Sequence, residues 1–496
     1  MYVGELTYLE RRYFFIIREK LMKLTPLDGG TLPIMIPASN SGGLTTSAES
    51  MRIQQSHFIG ECYDDGKKIV ITPKVGSFGL CNFSMTLPIA HIIEFIAGVR
   101  KIARITLCCE ELDWIYNIKQ FVGHKGYPFT DDGKEEHATV FIDVLSKAAV
   151  DLGSVKLDGI DVSCQLGLSM LRSFSKTPIS LKSIFQLRFE ETDDYTFLHN
   201  LIRNVEKLLN FLCYRRNVNF TDIRFEDYSI GPTAEFQQHL HNLANKETTE
   251  LRNNEDAVKK YYTCANLVES ELFMRSEDKN IVEGRYIPYK AIEGKVCDLF
   301  QEIIDGNLYL RHIPDTFAIG NRVNPPNFIM IMAAFEGEHV RLNSDPIQKP
   351  KRTDAQNTVM AQLEALKKDS ATTKDMKKIY KYLLKQIDHR PLNTEVLSSL
   401  KAHEDILTPF MKYLYGINGI DCKLSNISER VCGQRNDFAH GNLAKPFKSF
   451  AALDIRIMEY LVYIMQLSKY NVPTENIQGA LKKLFAVNIE DGITYI

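Results

Sequence analysis

What most restricts the fold of this 496-residue chain is a change in the period of its apolar residues near Glu235. Before that point the chain is strand-rich. HFIGECYDDGKKIVITPKV holds two β-prone runs around Asp65-Gly66, and VKLDGIDVSCQLG repeats the arrangement around Asp158-Gly159, so both read as hairpins. Ser77 to Leu87, Ile179 to Phe189 and Asn217 to Phe225 also read as extended. One helix is expected among these strands, because Leu198, Leu201, Ile202, Val205, Leu208, Leu209 and Leu212 recur at three- and four-residue spacing.

Beyond Glu235 the helical period takes over. A helix begins after Pro325-Pro326, with Phe328, Met332, Phe335, His339 and Leu342 on one side. A second helical region covers Asn357 to Ile387. A third starts near Ser425, an expected N-cap, and stops at Gly441, a natural C′ residue. The fourth runs from about Phe447 to Lys469, with Leu453, Ile457, Leu461, Ile464 and Leu467 on its buried face. The expected fold class is α+β: a β-rich domain over 1–245, a helical connector over 246–305 and an all-α bundle over 306–496.

Composition narrows the function classes. Hydrophobic residues at 44% and charged residues at 25% exclude disordered, collagen-like and coiled-coil chains. Sixty basic residues against sixty-two acidic ones give a net charge of -2, so any polyanion site must be local. Ten cysteines without a CxxC pair suit buried thiols in a reducing compartment. Charges run through MYVGELTYLERRYFF, where a signal peptide needs an apolar core. His91 and Glu94 interrupt the apolar run Ile89 to Val99, and Asp454, Arg456 and Glu459 interrupt Leu453 to Leu467. No membrane segment is expected, and the cytoplasm is the expected location. With no P-loop, no GxGxxG before a helix and no HExxH, no cofactor is expected. No metal is expected either, since Cys422 and Cys432 lack further donors at ligand spacing.

The chemistry concentrates in GQRNDFAHGN, which holds Arg435, Asn436, Asp437 and His440. RNA is cleaved without a metal when a base takes the 2′-hydroxyl proton and cations stabilise charge on the phosphoryl oxygens. Histidine suits the first role because it titrates near neutrality. Arginine suits the second because it is always charged and forked to match phosphate. Asn436 and His440 share a helix face. Arg435 and His440 diverge by ~140° on a regular helix, so they converge only where the helix ends or where a second subunit supplies partners. Arg52 and His57 repeat the Arg-x4-His spacing, but in the strand-rich half and with apolar Ile53 after the arginine, which marks a chance match.

Arg435-Asn436-Asp437-Phe438-Ala439-His440 resembles the Rx4-6H signature of HEPN domains, four- to five-helix bundles of which many are metal-independent endoribonucleases. FLHNLIRNVEKLLNFLCYRRNVNFTDIRFE and NFIMIMAAFEGEHVRL are similar to the N-terminal core and first bundle helix of ApeA-like abortive-infection proteins. The resemblance implies an anti-phage ribonuclease effector, with Arg435 polarising the scissile phosphate, His440 as general base or acid and Asn436 orienting either partner. It also implies a homodimer or higher homo-oligomer whose paired motifs face one groove around the RNA substrate. The N-terminal domain would be the sensor, triggered by a phage protein. The alternative is a catalytically inactive HEPN protein that serves as a nucleotide- or protein-binding dimerisation module.

Supporting roles fall to Asp437 and Glu336. Glu336 shares a stripe with Ile329, Met332 and Val340, and an acid on an apolar seam needs a cationic partner. A structural pairing with an arginine near the motif, Arg435 being one candidate, is favoured over direct catalysis. A purely structural reading of the motif pairs Arg435 with Asp437 or Glu336 and lets His440 cap terminal carbonyls. From Lys349 to Lys385 ten basic residues face four acidic ones, and such a run is usually a solvated helix face. Its functional reading is an RNA-backbone ramp including Lys367, Lys368, Lys377 and Lys378.

Overall fold

Alternation of apolar and polar side chains folds the N-terminal strands around a common interior. Strands β1 (Tyr2–Tyr8), β2 (Arg11–Arg18) and β3 (Leu21–Pro26) bury alternate residues on one side. They belong to a computed structural model whose described residues fall in 1–29, 57–95, 102–125, 139–226, 263–270, 279–342, 354–387 and 391–489, with short interruptions. Asp65, Arg52, the Glu235 transition and the lysines and arginine at 349, 351 and 352 lie outside them. By its internal contacts the chain divides into two units, Met1–Ile304 and Asp305–Ile496.

In the first unit the remaining strands are β4 (Phe58–Cys62), β5 (Lys68–Pro73), β6 (Gly79–Cys81), β7 (Ser84–Phe95), β8 (Ile102–Cys108), β9 (Val122–Lys125), β10 (Thr139–Ile142), β11 (Val150–Leu157), β12 (Ile160–Arg172), β13 (Ile179–Thr192), β14 (Asp222–Glu226) and β15 (Thr263–Ser270). The pairing order β7-β3-β2-β1-β4-β5 returns to β7, so six antiparallel strands close into a small barrel. Its interior is one apolar cluster that includes Tyr13, Phe15, Ile17, Phe58, Ile69, Leu87 and Ile92. The far end of the long strand β7 pairs with β15 and continues through β14, β8, β13, β12 and β11 as a second, open antiparallel stretch. Hairpins form at both expected places, and the second turns on Asp158 and Gly159, whose φ values of 51° and 86° fit a two-residue primed turn.

Among the described residues, apart from a single turn at Lys279–Val282 and a 3-10 turn at Tyr289–Ile292, the helices of this unit are α1 (Glu110–Ile115), α2 (Tyr195–Cys213) and α3 (Val296–Ile304). The expected leucine stripe of α2 is buried throughout, and the Asp194 side chain caps its start by accepting from the N–H groups of Thr196 and Phe197 at 2.8 and 3.2 Å. Within the expected helical connector over 246–305, the described residues include a strand as well as helix. Thr263–Ser270 is a strand seated between β14 and β7, and α3 belongs to the first unit. Both of its partners are distant in sequence, so local period carries no signal of it.

The second unit is all-helical, with nine helices among the described residues. A single turn at Phe317–Gly320 precedes α4 (Pro325–Leu342), α5 (Asp354–Lys368), α6 (Lys374–Ile387), α7 (Leu392–Ala402), α8 (Glu404–Gly416), α9 (Leu424–Ala439), α10 (Ala451–Ser468) and α11 (Thr474–Leu484). The expected helix over 357–387 is two helices, broken where the Asp369 carboxylate accepts from the Ala371 N–H. Asn324, whose side chain accepts from Asn327, starts α4 ahead of Pro325-Pro326. Instead of one buried face, α10 has burial on every side from Ile457 to Leu467, because α4, α8, α9 and α11 all pack on it. Helix α9 starts at Leu424, so Ser425 lies inside its first turn and is not the N-cap. No described helix is long and apolar enough to cross a membrane.

Two predictions follow from the barrel. Gly4 and Gly60 flank the Phe15 ring. A Cβ on Gly4 would stand 2.8 Å from Phe15 Cζ and collide with the Glu61 carbonyl oxygen, and one on Gly60 would stand 2.7 Å from Phe15 Cε1. Gly4→Ala should therefore cost about 1–3 kcal/mol through overpacking, read from the urea midpoint. The buried rings of His57 and His199 stack at 4.8 Å, and burial pushes the His57 imidazole below its ordinary 6.5, with Asp194 opposing in part. The unfolded chain then binds this proton more readily than the folded one. The contribution of His57 is complete above pH 6.5 and is lost as pH falls below it. The melting temperature should drop between pH 7 and pH 5, and His57→Gln should flatten that drop.

Candidate functional site

The end of α9 places the motif. Phe438 is buried and meets Phe328 and Phe447 edge to face, with ring centroids 5.9 and 5.1 Å apart. Val431, Cys432 and Gln434 are buried as well. With those positions inward, Asn436, Ala439 and His440 face solvent, while Arg435 is half-buried on the flank. The helix stops as the sequence suggests. Gly441 takes φ 82°, its N–H bonds the Phe438 carbonyl at 3.0 Å, and the Asn442 N–H bonds the Asp437 carbonyl at 3.1 Å. This is a Schellman stop with His440 as the C-cap residue.

Arg435 points to α4. Its Nε and Nη2 donate to Glu336 Oε1 and Oε2 at 3.0 and 3.2 Å, a forked pair with each side chain about a third exposed. The pairing expected for Glu336 is therefore made with Arg435 itself. The apolar seam is not as read, because Val340 is 68% exposed and Ile329 is only half-buried. Asp437 instead accepts from Lys445 Nζ at 2.7 Å. Among the described residues the imidazole of His440 has no hydrogen-bond or ion-pair partner.

Arg435 and Asn436 line a cleft of about 530 Å3 together with Glu336, Pro391, Leu392, Asn393, Glu395, Glu429, Cys432 and Gly433. His440 does not line it, so within one chain Arg435 and His440 are not brought to one cavity. Three carboxylates and one guanidinium leave the cleft formally at −2 (one minus three), a poor field for a phosphate. Sequence reasoning missed Glu395 and Glu429. Glu429 lies six residues before Arg435, but Glu395 comes from another helix and carries no local signal. Burial, with Glu336 adding to it, pushes the Cys432 thiol up to about 12, so it stays protonated as a packing group. No group of three metal-ligating side chains occurs among the described residues.

A second cluster went unforeseen. Asp454, 2% exposed, accepts from Arg430 Nε and Nη2 at 2.7 and 2.6 Å and from the Tyr415 hydroxyl. The hydrogen bond to Asp454 raises the Arg430 guanidinium further, and burial raises the Tyr415 phenol. Arg430 also donates to Cys422 Sγ at 3.4 Å, so Cys422 is a half-buried rim residue and not a core thiol. It borders a cleft of about 830 Å3 between the end of α8 and the start of α9. The apolar run interrupted by Asp454 was the available sign, since an acid there needs a buried partner.

The expected ramp lysines sit on α5 and α6, which pack on each other. Lys367, Lys368 and Lys378 are exposed and Lys377 is half-buried; Lys378 pairs with Asp375 at 3.0 Å, and none of the four lines the Arg435 cleft. Their arrangement is that of a solvated face. Comparison of the chain with protein-family models, with curated proteins and with solved structures finds no match.

Removing one partner from the buried Arg430–Asp454 pair strands a charge. Asp454→Ala should cost about 3–5 kcal/mol, whereas Glu336→Ala, at the third-exposed pair, should cost at most about 1 kcal/mol; chemical denaturation of both variants measures the contrast.

Proposed function

We propose that the chain is a metal-independent endoribonuclease of the HEPN kind, acting in anti-phage defence, with a composite site built from Arg435, Asn436 and His440. The observation that carries this reading is the end of α9, where a half-exposed forked arginine and a solvent-facing histidine sit within one turn and a half. Glu336 takes two of the five guanidinium N–H donors, from the Nε edge. The three that remain have no hydrogen-bonded acceptor among the described residues, and they suit two phosphoryl oxygens. An ion pair this exposed is worth at most about 1 kcal/mol, so a phosphate can compete with Glu336 at little cost.

In this reading His440 removes the 2′-hydroxyl proton or delivers one to the leaving 5′-oxygen, and Arg435 stabilises the charge that builds on the phosphorane. Because Arg435 and His440 diverge around α9, the reacting pair is drawn from two subunits, the histidine of one facing the arginine of the other. The products are a 2′,3′-cyclic phosphate and a 5′-hydroxyl. The β-rich unit would receive the phage-derived trigger, in the cytoplasm.

The acidic cleft favours a second reading. Glu395 and Glu429 beside the neutralised Arg435 repel a nucleic-acid backbone, as expected of an inactive HEPN bundle that binds nucleotide or protein partners and dimerises. Incubating the purified full chain with RNA in EDTA separates the two. Cleavage that survives chelation and falls at least about 100-fold in both Arg435→Ala and His440→Ala supports the nuclease. Activity unchanged in those variants removes the site assignment, and no cleavage by an assembled oligomer supports the binding module.

A further inference from the structure

Gly153 on β11 stands directly opposite Cys164 on β12, beside an irregularity in the ladder between Asp151 and Gly153. Side chains directly opposite in an antiparallel pair have Cβ atoms about 4.5–5.5 Å apart, so whatever fills the missing side-chain position of Gly153 lies against Cys164. Cys297 of α3 stands beside it. A Cβ built on Gly153 would lie 3.9 Å from both Cβ and Sγ of Cys297. Both cysteines are free thiols, and they lie close enough for each to shift the titration of the other. Helix α3 is fixed there by Val296, Leu299, Phe300 and Ile303, all buried, and by Gln301. The Gln301 carboxamide accepts from the Lys156 N–H at 2.6 Å and donates to the Lys156 carbonyl at 3.0 Å, completing hydrogen bonds of the edge strand β11.

The two sulfurs are not equivalent. Cys164 is fully buried, whereas Cys297 is half-buried next to Gly153, which is exposed. That is the asymmetry of an attacking and a resolving cysteine.

We propose that Cys297 and Cys164 form a peroxide-sensitive dithiol, Cys297 being the sulfur a hydroperoxide oxidises and Cys164 the sulfur that closes a reversible disulfide. The Cys297 thiolate attacks one peroxide oxygen, the S–O bond forms, the O–O bond breaks and the leaving hydroxide takes a proton to become water. The Cys164 sulfur, giving up its proton, attacks the sulfenic sulfur, the S–S bond forms and the S–O bond breaks with loss of a second water. Two thiols and one hydrogen peroxide thus give one disulfide and two waters. The bond ties the last helix of the first unit to its edge hairpin and closes a long loop, which restrains the unfolded chain. The inference uses none of the residues of the ribonuclease reading.

The test uses the reduced full chain, treated with equimolar hydrogen peroxide, alkylated after denaturation and mapped by mass spectrometry. The expected result is one disulfide-linked peptide pair joining 164 to 297, reversed by dithiothreitol, with a melting temperature about 5 °C above that of the reduced protein. Cys297→Ser should give no such pair. Cys164→Ala, which leaves no hydroxyl in the buried position, should accumulate a sulfenic acid at Cys297 that dimedone traps. Alkylation of both thiols in peroxide-treated wild type, linkage of Cys297 to a different cysteine, or no dimedone adduct on Cys297 in folded Cys164→Ala would each overturn the proposal.

Discussion

A helix with no solvent face must satisfy its polar side chains inside the protein, and the second unit is arranged around that requirement. Helix α10 is surrounded, yet it carries Asp454, Glu459 and Gln466. Asp454 is held by Arg430 and Tyr415, Glu459 by Arg456 at 2.5 Å, and Gln466 by Glu338 at 2.9 Å. Unpaired burial of such groups costs several kcal/mol; Arg456 pairs within α10 itself, and each partner from another helix fixes the helix that supplies it. Arg430 fixes α9, Tyr415 fixes α8 and Glu338 fixes α4.

The motif inherits its geometry from that arrangement. Arg430 and Arg435 lie five residues apart on α9 and so diverge by about 140°. One is turned into α10 and bound to a buried carboxylate. The other reaches the flank, where α4 offers the half-exposed Glu336. The same chemistry therefore appears twice: in a buried pair that sets position, and in a half-exposed pair that contributes little to stability. Phe438 locks the rotation between them and sends His440 outward at the Schellman stop. The acids that share the cleft disfavour an anion there, and the divergence of Arg435 from His440 is why the nuclease reading calls on a second subunit.

In the first unit the corresponding device is one long strand. Strand β7 closes the barrel through β3 and β5 and also starts the open stretch through β15. Closure demands close backbone approach around Phe15, which Gly4 and Gly60 permit. At the other end of the sheet Cys297 of α3 packs in ordinary contact beside Gly153.

Local pattern was enough to determine several things. The α+β class, the two hairpins, the leucine stripe of α2, the start of α4 at its proline pair and the stop of α9 at Gly441 all depend on neighbours in sequence, and all are present. A cationic partner for Glu336 was expected too, although the apolar seam that suggested it is half open to solvent. Only the tertiary structure decided the rest. The strand at 263–270, the burial of α10 on every side, the entry of Glu395 into the Arg435 cleft and the meeting of Cys164 with Cys297 each join residues far apart in the chain. Periodicity reports which face of an element is apolar; which distant group arrives there is set by how the packed elements share their buried polar partners.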